Sequence, residues 1–358
     1  MTFPLLESSP AELGFEGPEK NLQVIFAKTY YDTGTLRLIP KSRFQEMLNY
    51  AKCKILSSIA SSDCISYILS ESSLFVYDDR IILKTCGTTP LLKALDDIIL
   101  IGQEIYLKPA AVLFWRKNYT NPQCQDPIHQ TFENEVKYLR EHLGGDSYTA
   151  IMGNKDKDHY YFYYSILAEK DEFKPVFNTF ELKMHEIHPE KSKNFIWEKQ
   201  EKSRPDIINK VYDILPGYSI DEYFFEPCGY SMNGLNGQKY KTIHITPEGN
   251  CSYISYETND AKFINEKNKN ENAIMDIFEP YNCLSIEIKN ENENLNQNDK
   301  IDLNRKYTLV NKEKAELGNI KIEFQYYETN ELHPLAKVAK RRQQGIEVIR
   351  DVKHLAVS

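Results

Sequence analysis

Residues 69–88 read LSESSLFVYDDRIILKTCGT. The apolar run at 81–83 lies between a turn at Asp78-Asp79 and a glycine at position 87, which predicts a strand that follows a hairpin turn. Because a hairpin brings its two ends together, Cys86 is expected to lie near Ser72, although fourteen residues separate them. The stretch therefore combines a serine, preceded by a carboxylate, with a downstream thiol.

The composition is that of a globular protein and excludes several classes of function. The 358 residues are 41% hydrophobic, which is ample for a sizeable core. The net charge of −8 argues against a nucleic-acid surface and weakly favours a site that accepts cations. No apolar run approaches the roughly 20 residues of a membrane span, and residues 1–14 lack the basic segment of a secretion signal. We therefore expect a cytoplasmic protein without nucleic-acid or membrane partners.

The metal-ligating residue types do not indicate a metal site. The seven cysteines are odd in number, widely spaced and without CxxC pairs, so reduced thiols are the simplest interpretation. His185 and His188 stand close together, but their spacing is not HExxH and no third ligand accompanies them. We predict that the protein holds no metal.

Strand and helix signals both occur along the chain. Apolar residues alternate at positions 22, 24 and 26, and aromatic residues are dense at 160–166, 224–225 and 324–327, which indicates strands. Ser42 followed by Gln45 forms a capping box and predicts a helix of about four turns that extends to position 55. Thr89-Pro90 predicts the start of a helix over 91–101, and an apolar stripe over 132–143 predicts another that ends at Gly144-Gly145. The mixture favours an α+β protein with antiparallel sheets.

Two segments differ in composition from the rest of the chain. Residues 265–300 are rich in Asn, Glu and Lys, and we predict a flexible loop insertion that buries no core. Residues 336–358 contain the run Lys340-Arg341-Arg342 and are predicted to form a C-terminal tail or a solvated basic helix.

Four further stretches carry a resemblance to a known family. They are FEGPEK at 15–20, FEPCGYSMNG at 225–234, TIHITPE at 242–248 and SYISYETN at 252–259. Together with residues 69–88, they resemble the eukaryotic-type S-adenosylmethionine decarboxylases, enzymes that make a pyruvoyl cofactor from an internal serine. The resemblance covers most of residues 14–260. It implies a single domain over 1–358, built as a four-layer α/β/β/α sandwich with two central antiparallel sheets, outer helices and two similar halves.

The activity that the resemblance implies is that of a self-cleaving lyase. Ser72 would attack the Glu71 carbonyl, and the chain would separate into residues 1–71 and a chain 72–358 that begins with a pyruvoyl group made from Ser72. That group would form a Schiff base with S-adenosylmethionine and release carbon dioxide, which yields the aminopropyl donor for spermidine and spermine synthesis. Elementary chemistry agrees, because decarboxylation of an α-amino acid needs an electron sink that no ordinary side chain provides.

Individual residues take their roles from the resemblance. His244 matches the base that removes the Cα proton of residue 72, and Ser231 matches a hydroxyl that hydrogen-bonds the processing intermediate. Cys86 matches the general acid that returns a proton to the substrate. Without the motifs, a lone histidine or cysteine is more often a structural residue. The remaining matches are Glu19 as an acid that assists processing, Phe15 and Phe225 as adenine-stacking residues, Glu248 as the ribose ligand, and Glu16 and Glu71 beside the substrate and the cleavage site.

Two other functions stay open at the level of sequence. Some relatives in the family are catalytically impaired paralogues that act as regulatory partners. Retention of the processing set favours an enzyme here; the set is Ser72, Cys86, Ser231 and His244. A Cys–His hydrolase would use Cys86 and His244 but would leave the Glu71-Ser72 pair unexplained. The sequence does not decide between a monomer, a homodimer and a heterodimer with an inactive paralogue.

A diamine is a candidate effector. Glu181, Glu186 and Glu257 resemble the buried acidic cluster that binds putrescine in stimulated relatives. Those relatives carry an aspartate where this chain has Phe177. Because burying a dication requires compensating carboxylates, we do not expect strong stimulation by putrescine.

Overall fold

The computed structural model describes residues 17–28, 34–168, 176–196, 206–247, 252–290 and 306–330. Three of the predicted site residues, Phe15, Glu16 and Glu248, lie outside these ranges. The part of the predicted insertion at 291–300 and the predicted tail at 336–358 also lie outside them. Within the described ranges, none of the helices combines the length and the apolar character that crossing a membrane requires.

Eight antiparallel strands from the first half of the described chain form one sheet. They are β1 (Lys20–Lys28), β2 (Ile55–Ala60), β3 (Cys64–Leu69), β4 (Ser72–Tyr77), β5 (Arg80–Thr85), β6 (Leu107–Lys117), β7 (Asp146–Gly153) and β8 (His159–Ile166). Their order across the sheet is β2-β3-β4-β5-β1-β6-β8-β7. The predicted hairpin within residues 69–88 is confirmed, since β4 pairs with β5 across the turn at Asp78-Asp79.

Eight antiparallel strands from the second half of the described chain form another sheet. They are β9 (Asn178–Ile187), β10 (Ser219–Phe224), β11 (Tyr230–Asn236), β12 (Lys239–Thr246), β13 (Tyr253–Thr258), β14 (Pro280–Asn290), β15 (Tyr307–Leu317) and β16 (Ile320–Thr329). Their order is β10-β11-β12-β13-β9-β14-β16-β15. At every position the strand number is eight higher than in the first sheet, so that β10 corresponds to β2 and β9 corresponds to β1. The prediction of two similar halves is therefore confirmed.

Helices cover the outer faces of the two stacked sheets. In the described ranges they are α1 (Lys41–Tyr50), α2 (Leu95–Glu104), α3 (Phe132–Leu143), α4 (Pro189–Ser192), α5 (Asp206–Asp213), α6 (Ala261–Asn265) and α7 (Lys267–Phe278). On β1, Leu22 shares an apolar cluster with Leu95 of α2, whereas Ile25 belongs to a cluster with Ile286 of the second sheet. The predicted four-layer α/β/β/α sandwich is confirmed.

Alternation along the strands collects polar side chains between the sheets. Successive residues of a strand point to opposite faces. On β9, Phe180 and Leu182 pack in the outer cluster that includes α7. Glu181 lies between them in sequence and contacts Lys84 and Trp115 of the first sheet. The space between the sheets is therefore apolar in one part and polar in another.

The capping box predicted at Ser42 and Gln45 does not form. Helix α1 has no side-chain cap at its start and ends at position 50 rather than 55. The Gln45 side chain instead spans the end of the helix. Its Nε2 donates to the Cys53 carbonyl at 3.1 Å, and its Oε1 accepts from the Ile55 amide at 2.9 Å. Gln45 thus fixes the turn into β2. This strand begins at Ile55, which the prediction had assigned to the helix.

Thr89 was expected to cap a helix, and this prediction is also wrong. Residues 91–94 form a 3-10 turn, and α2 begins only at Leu95 without a side-chain cap. The Thr89 hydroxyl instead donates to the Cys86 carbonyl at 2.6 Å. The predicted helix at 132–143 is confirmed, with Thr131 as its N-cap and Gly144 following it at a φ of 65°.

The prediction of a coreless insertion at 265–300 is wrong for residues 265–290. Helix α7 and strand β14 occupy this segment, and β14 lies inside the second sheet between β9 and β16. Leu284, Ile286 and Ile288 of β14 are buried, as is Met275 of α7. Polar residues alternate with these apolar ones, so the overall composition concealed a regular pattern.

Candidate active site

A cavity of about 280 Å³ brings together the predicted catalytic and substrate-binding residues that the structure describes. Its first wall comes from the residues before β1, the start of β4 and the loop after β5. Its second wall comes from residues 225–231 and from the end of β12. Seven of the predicted residues line it: Glu19, Glu71, Ser72, Cys86, Phe225, Ser231 and His244.

Ser72 holds a strained backbone conformation at the start of β4. Its φ is 128°, a region that non-glycine residues rarely adopt and that costs on the order of 1–3 kcal/mol. Its Oγ is buried and has no hydrogen-bond partner among the described residues. The hydroxyl is therefore free to react, and the surrounding sheet holds its backbone under strain.

The carbonyl oxygen of Glu71 accepts two hydrogen bonds from one residue. The backbone N–H of Cys86 donates to it at 2.9 Å, and the Cys86 thiol donates to it at 3.3 Å. Donors placed on a carbonyl oxygen stabilise the negative charge that develops there during nucleophilic addition. The hairpin thus places two donors on the carbonyl that precedes Ser72, an arrangement suited to stabilise negative charge on this oxygen.

The Cys86 thiol keeps its proton at neutral pH. Burial raises the pKa of Cys86 well above its usual value, and the nearby carboxylates of Glu71 and Glu19 raise it further. The thiol also lies 3.7 Å from Oε2 of Glu71. The loop is held by Thr89 at the Cys86 carbonyl and by the Lys20 ammonium, which donates to the Gly87 carbonyl at 2.8 Å. A fixed, protonated thiol is suited to donate a proton.

His244 is buried as a neutral imidazole. Register places it opposite Ser231 on the adjacent strand, where the serine hydroxyl lies 2.8 Å from Nδ1. Burial lowers the pKa of His244 to about 4, although the Glu19 carboxylate acts in the opposite direction. A neutral imidazole has an unprotonated nitrogen, so His244 is able to accept a proton at physiological pH.

Glu19 remains ionised although it is buried. Its carboxylate accepts hydrogen bonds from Tyr253 at 2.6 Å and from Ser255, and it lies 3.3 Å from the Lys183 ammonium. Burial alone would raise the pKa of Glu19, but Lys183 and Lys84 outweigh burial and hold this pKa well below its usual value. Glu19 is therefore a charged carboxylate that forms a buried ion pair with Lys183.

Phe225 presents an aromatic side chain to the cavity. It is half-buried, and its ring meets the Tyr223 ring edge to face with centroids 4.9 Å apart. An aromatic ring at a cavity wall offers a surface for stacking with another flat ring.

The three glutamates of the candidate diamine cluster do not lie together. Glu181 and Glu257 are buried between the sheets, where the Lys84 ammonium contacts Glu257 directly and lies 3.4 Å from Glu181. Lys183 also lies 3.4 Å from Glu181. Glu186 is exposed and accepts a hydrogen bond from Asn282 at 3.1 Å. The buried pair of carboxylates already faces two lysine ammonium groups.

Sequence reasoning missed several polar residues behind the cavity. A signal for them exists, because each alternates with buried apolar residues of β4, β5, β9, β11 or β12. Buried polar side chains at such positions usually have a partner, which marks them for attention once the strand is recognised. They are Ser73, Lys84, Lys183, Asn233 and Thr242.

Comparisons with known proteins give this site a family context. The chain matches the family described as adenosylmethionine decarboxylase over residues 12–328. It is 38% identical to the S-adenosylmethionine decarboxylase proenzyme of Dictyostelium discoideum, over 75% of this chain and 72% of the relative. It is also 38% identical to the proenzyme of Onchocerca volvulus, over 79% of this chain and 80% of the relative.

A solved structure shows the same fold. The Trypanosoma brucei AdoMetDC-delta26 monomer superposes with a TM-score of 0.55 at 23% identity and covers 72% of this chain and 99% of its own. The match to the family and the identity to its curated members agree with the motifs quoted from the sequence. The chain therefore belongs to the adenosylmethionine decarboxylase family.

Proposed function

We propose that this chain is an S-adenosylmethionine decarboxylase proenzyme that cleaves itself between Glu71 and Ser72. The observation that carries the proposal is the geometry of this peptide bond. The Ser72 hydroxyl has no hydrogen-bond partner among the described residues, its backbone is strained, and the Glu71 carbonyl accepts two hydrogen bonds from Cys86. These features prepare the bond for attack from the serine side chain.

Cleavage proceeds through two bond changes at Ser72. Its Oγ bonds to the Glu71 carbonyl carbon, the peptide C–N bond breaks, and the hydroxyl proton goes to the released nitrogen, which leaves an ester. His244 then takes the Cα proton of residue 72, and the Glu71 carboxylate leaves from Cβ with the electron pair of the C–O bond. The resulting dehydroalanine takes up water and releases ammonia, so chain 72–358 begins with a pyruvoyl group.

The residues around Ser72 fit such a cofactor. Its orphaned hydroxyl lies at the wall of the cavity, so a carbonyl made from residue 72 would be accessible to a substrate there. A pyruvoyl group supplies the electron sink for the electrons left by carbon dioxide. Cys86 holds the proton that the substrate carbon needs afterwards. Phe225 offers a stacking surface for adenine, and the π face of its ring favours a cationic sulfonium nearby.

Two observations support an active enzyme over an impaired regulatory paralogue. The processing residues Ser72, Cys86, Ser231 and His244 line one cavity. The relatives reported above carry the name of a proenzyme. A cytoplasmic location fits the mechanism, since a reducing compartment keeps Cys86 as a thiol. The product would serve as the aminopropyl donor for spermidine and spermine synthesis.

We further propose that catalysis does not require putrescine. A dication needs uncompensated carboxylates when it is buried. Glu181 and Glu257 are compensated by Lys84 and Lys183 from within the chain. The internal lysines thus occupy the electrostatic role that a diamine would otherwise fill.

Mass spectrometry of the purified full-length protein tests the proposed function. We expect two chains, residues 1–71 and a chain beginning at position 72 with a blocked N-terminus. Ser72→Ala should remain one chain. Ser66→Ala is a matched control, because Ser66 is equally buried, has no hydrogen-bond partner among the described residues and does not line the cavity; it should mature normally.

A second measurement addresses the cofactor. Borohydride traps a Schiff base between the pyruvoyl group and the substrate. Added together with S-adenosylmethionine, it should therefore leave a substrate-derived group bound to chain 72–358 and abolish activity. Ser72→Ala should show no such increase in mass. An intact single chain with full decarboxylase activity would contradict the proposal.

A further inference from the structure

We infer that Asn233 is a positioning residue that fixes the tautomer of His244, so that the unprotonated nitrogen is Nδ1, on the cavity side of the ring. The geometry stands on its own, whereas its consequence for cleavage rests on the proposed function.

Two hydroxyl groups bridge the Asn233 amide and the imidazole. Ser73 Oγ lies 2.8 Å from Asn233 Oδ1 and 3.2 Å from His244 Nε2. Thr242 Oγ1 lies 2.9 Å from the same Oδ1 and 3.0 Å from the same Nε2. The four atoms form a closed ring in which each hydroxyl contacts one atom of the amide and one atom of the imidazole.

The number of available protons decides which imidazole nitrogen carries hydrogen. A serine or threonine hydroxyl has one proton, and an amide oxygen only accepts. Both hydroxyl protons therefore point to Asn233 Oδ1. Their oxygens can then only accept from His244, so Nε2 must be the N–H. Nδ1 keeps its lone pair and accepts the proton of the Ser231 hydroxyl at 2.8 Å.

The two sides of the ring differ in their surroundings. Ser231 and His244 line the cavity, whereas the bridging group of Ser73, Asn233 and Thr242 is buried behind them. A base that acts on the Cα proton of residue 72 needs its lone pair toward the cavity. With the opposite tautomer, Nδ1 would carry hydrogen and the ring would be unable to accept a proton on that side.

The Asn233 side chain carries an energetic cost that packing alone does not explain. Its Nδ2 is buried and has no hydrogen-bond partner among the described residues. A buried donor without a partner is destabilising. An apolar side chain of the same shape would avoid that cost, so the acceptor Oδ1 is the useful part of this residue.

Nuclear magnetic resonance of the uncleaved chain tests the tautomer directly. In Ser72→Ala protein with ¹⁵N-labelled histidine, we expect His244 to show a protonated Nε2 and a bare Nδ1. Adding Asn233→Leu removes the acceptor and frees the two hydroxyl protons to turn toward Nε2, which should convert the ring to the Nδ1–H form. Asn233→Asp keeps an acceptor at the same place and should retain the original tautomer.

The rate of cleavage provides a second measurement in chains that keep Ser72. We expect Asn233→Leu to slow maturation on the order of 10²-fold or more, the usual contribution of a general base. Asn233→Asp should mature far faster than the Leu variant. Because the added carboxylate raises the pKa of His244, the rate of this variant should fall at a higher pH than that of the parent when the pH is lowered.

A double variant covers the case in which Asn233→Leu does not fold. Ser73→Ala with Thr242→Val removes both bridges and should also abolish the preference for Nε2–H, whereas the control Ser66→Ala should leave the tautomer unchanged. An Nδ1–H ring in Ser72→Ala protein would overturn the inference, as would an unchanged tautomer in the double variant. A chain with the expected tautomer that never cleaves would support the inference and refute the proposed function.

Discussion

His244 illustrates how burial adapts a single residue for its role. Its pKa is lowered to about 4 from 6.5, chiefly by burial, with Lys84 and Lys183 acting in the same direction and Glu19 opposing them. Only the neutral ring is a base, and it loses this form when the pH falls below the pKa. The histidine therefore remains competent across the whole range in which an exposed histidine would become protonated.

The pH dependence of maturation follows from this shift. We expect newly synthesised chain to cleave at a constant rate from pH 7.5 to pH 5 and to slow only as the pH approaches 4. Timed gel analysis at a series of pH values measures the rate. A half-maximal rate near pH 6.5 would show that His244 titrates like an exposed histidine and would contradict the assignment.

Cys86 contacts the Glu71 carbonyl through both its backbone N–H and its thiol, and a substitution separates the two. Cys86→Ala keeps the backbone N–H that binds the Glu71 carbonyl but removes the thiol. We therefore expect cleavage to continue at a reduced rate, while cleaved protein shows a kcat lower by roughly 10²-fold or more. Normalising activity to the amount of cleaved chain separates the two effects. An unchanged kcat in cleaved Cys86→Ala would exclude the thiol as the proton donor.

At the scale of secondary structure, uninterrupted periodicity made some elements predictable. Strand β1 and helix α3 were predicted correctly because apolar residues recur regularly on one face of each, at 22, 24 and 26 in β1 and at 132, 136, 139 and 143 in α3. The predicted caps of α1 and α2 were wrong because Gln45 and Thr89 use their side chains to hold neighbouring loops, after α1 and after β5 respectively. A helix cap and a hydrogen bond that fixes a loop use the same residue types, so the sequence motif does not distinguish them.

The segment 265–300 shows the limit of composition as a guide. Ile286 is fully buried in β14 and packs in the cluster between the two sheets. Ile286→Ala should therefore lower the free energy of unfolding by about 2–5 kcal/mol. Lys269→Ala, on an exposed position of α7, should change it by less than about 0.5 kcal/mol. Urea unfolding measures both, and equal stability of the two variants would restore the interpretation as an insertion.

The sequence motifs predicted the residues that line the candidate site but not the residues that surround them. The motifs named the residues that line the cavity, among them Ser72, Cys86 and His244. They assigned no role to Asn233, although it lies within the motif at 225–234, and they did not include Lys183. Which polar side chains meet between the sheets depends on how strands far apart in sequence are stacked, and local patterns contain no information about that stacking.

For the molecule as a whole, stacking of equivalent strands explains where the site forms. Counterpart strands lie over each other, as β2 does over β10 and β3 over β11. By the same correspondence, Ser73 on β4 meets His244 on β12, and Lys84 on β5 meets Glu257 on β13. In the proposed reaction, cleavage therefore uses a serine of one half and a base of the other. The candidate site is formed by corresponding strands of the two similar halves.

Lys183 gives the last prediction, because it holds charges from both halves together. Glu181 and Glu19 outweigh burial and raise the pKa of Lys183, so it stays protonated. Lys183→Met leaves these carboxylates without that cation and should cost about 3–5 kcal/mol of stability. Because putrescine carries two ammonium groups, we expect it to raise the melting temperature and the maturation rate of this variant.

The parent protein and an exposed lysine provide the controls. Putrescine should not change maturation of the parent, in which Lys84 and Lys183 already face Glu181. Lys193→Met, at a solvent-exposed ion pair with Glu190, should behave like the parent. If putrescine stimulates the parent as strongly as Lys183→Met, then the diamine binds despite the internal lysines, and Lys183 does not replace it.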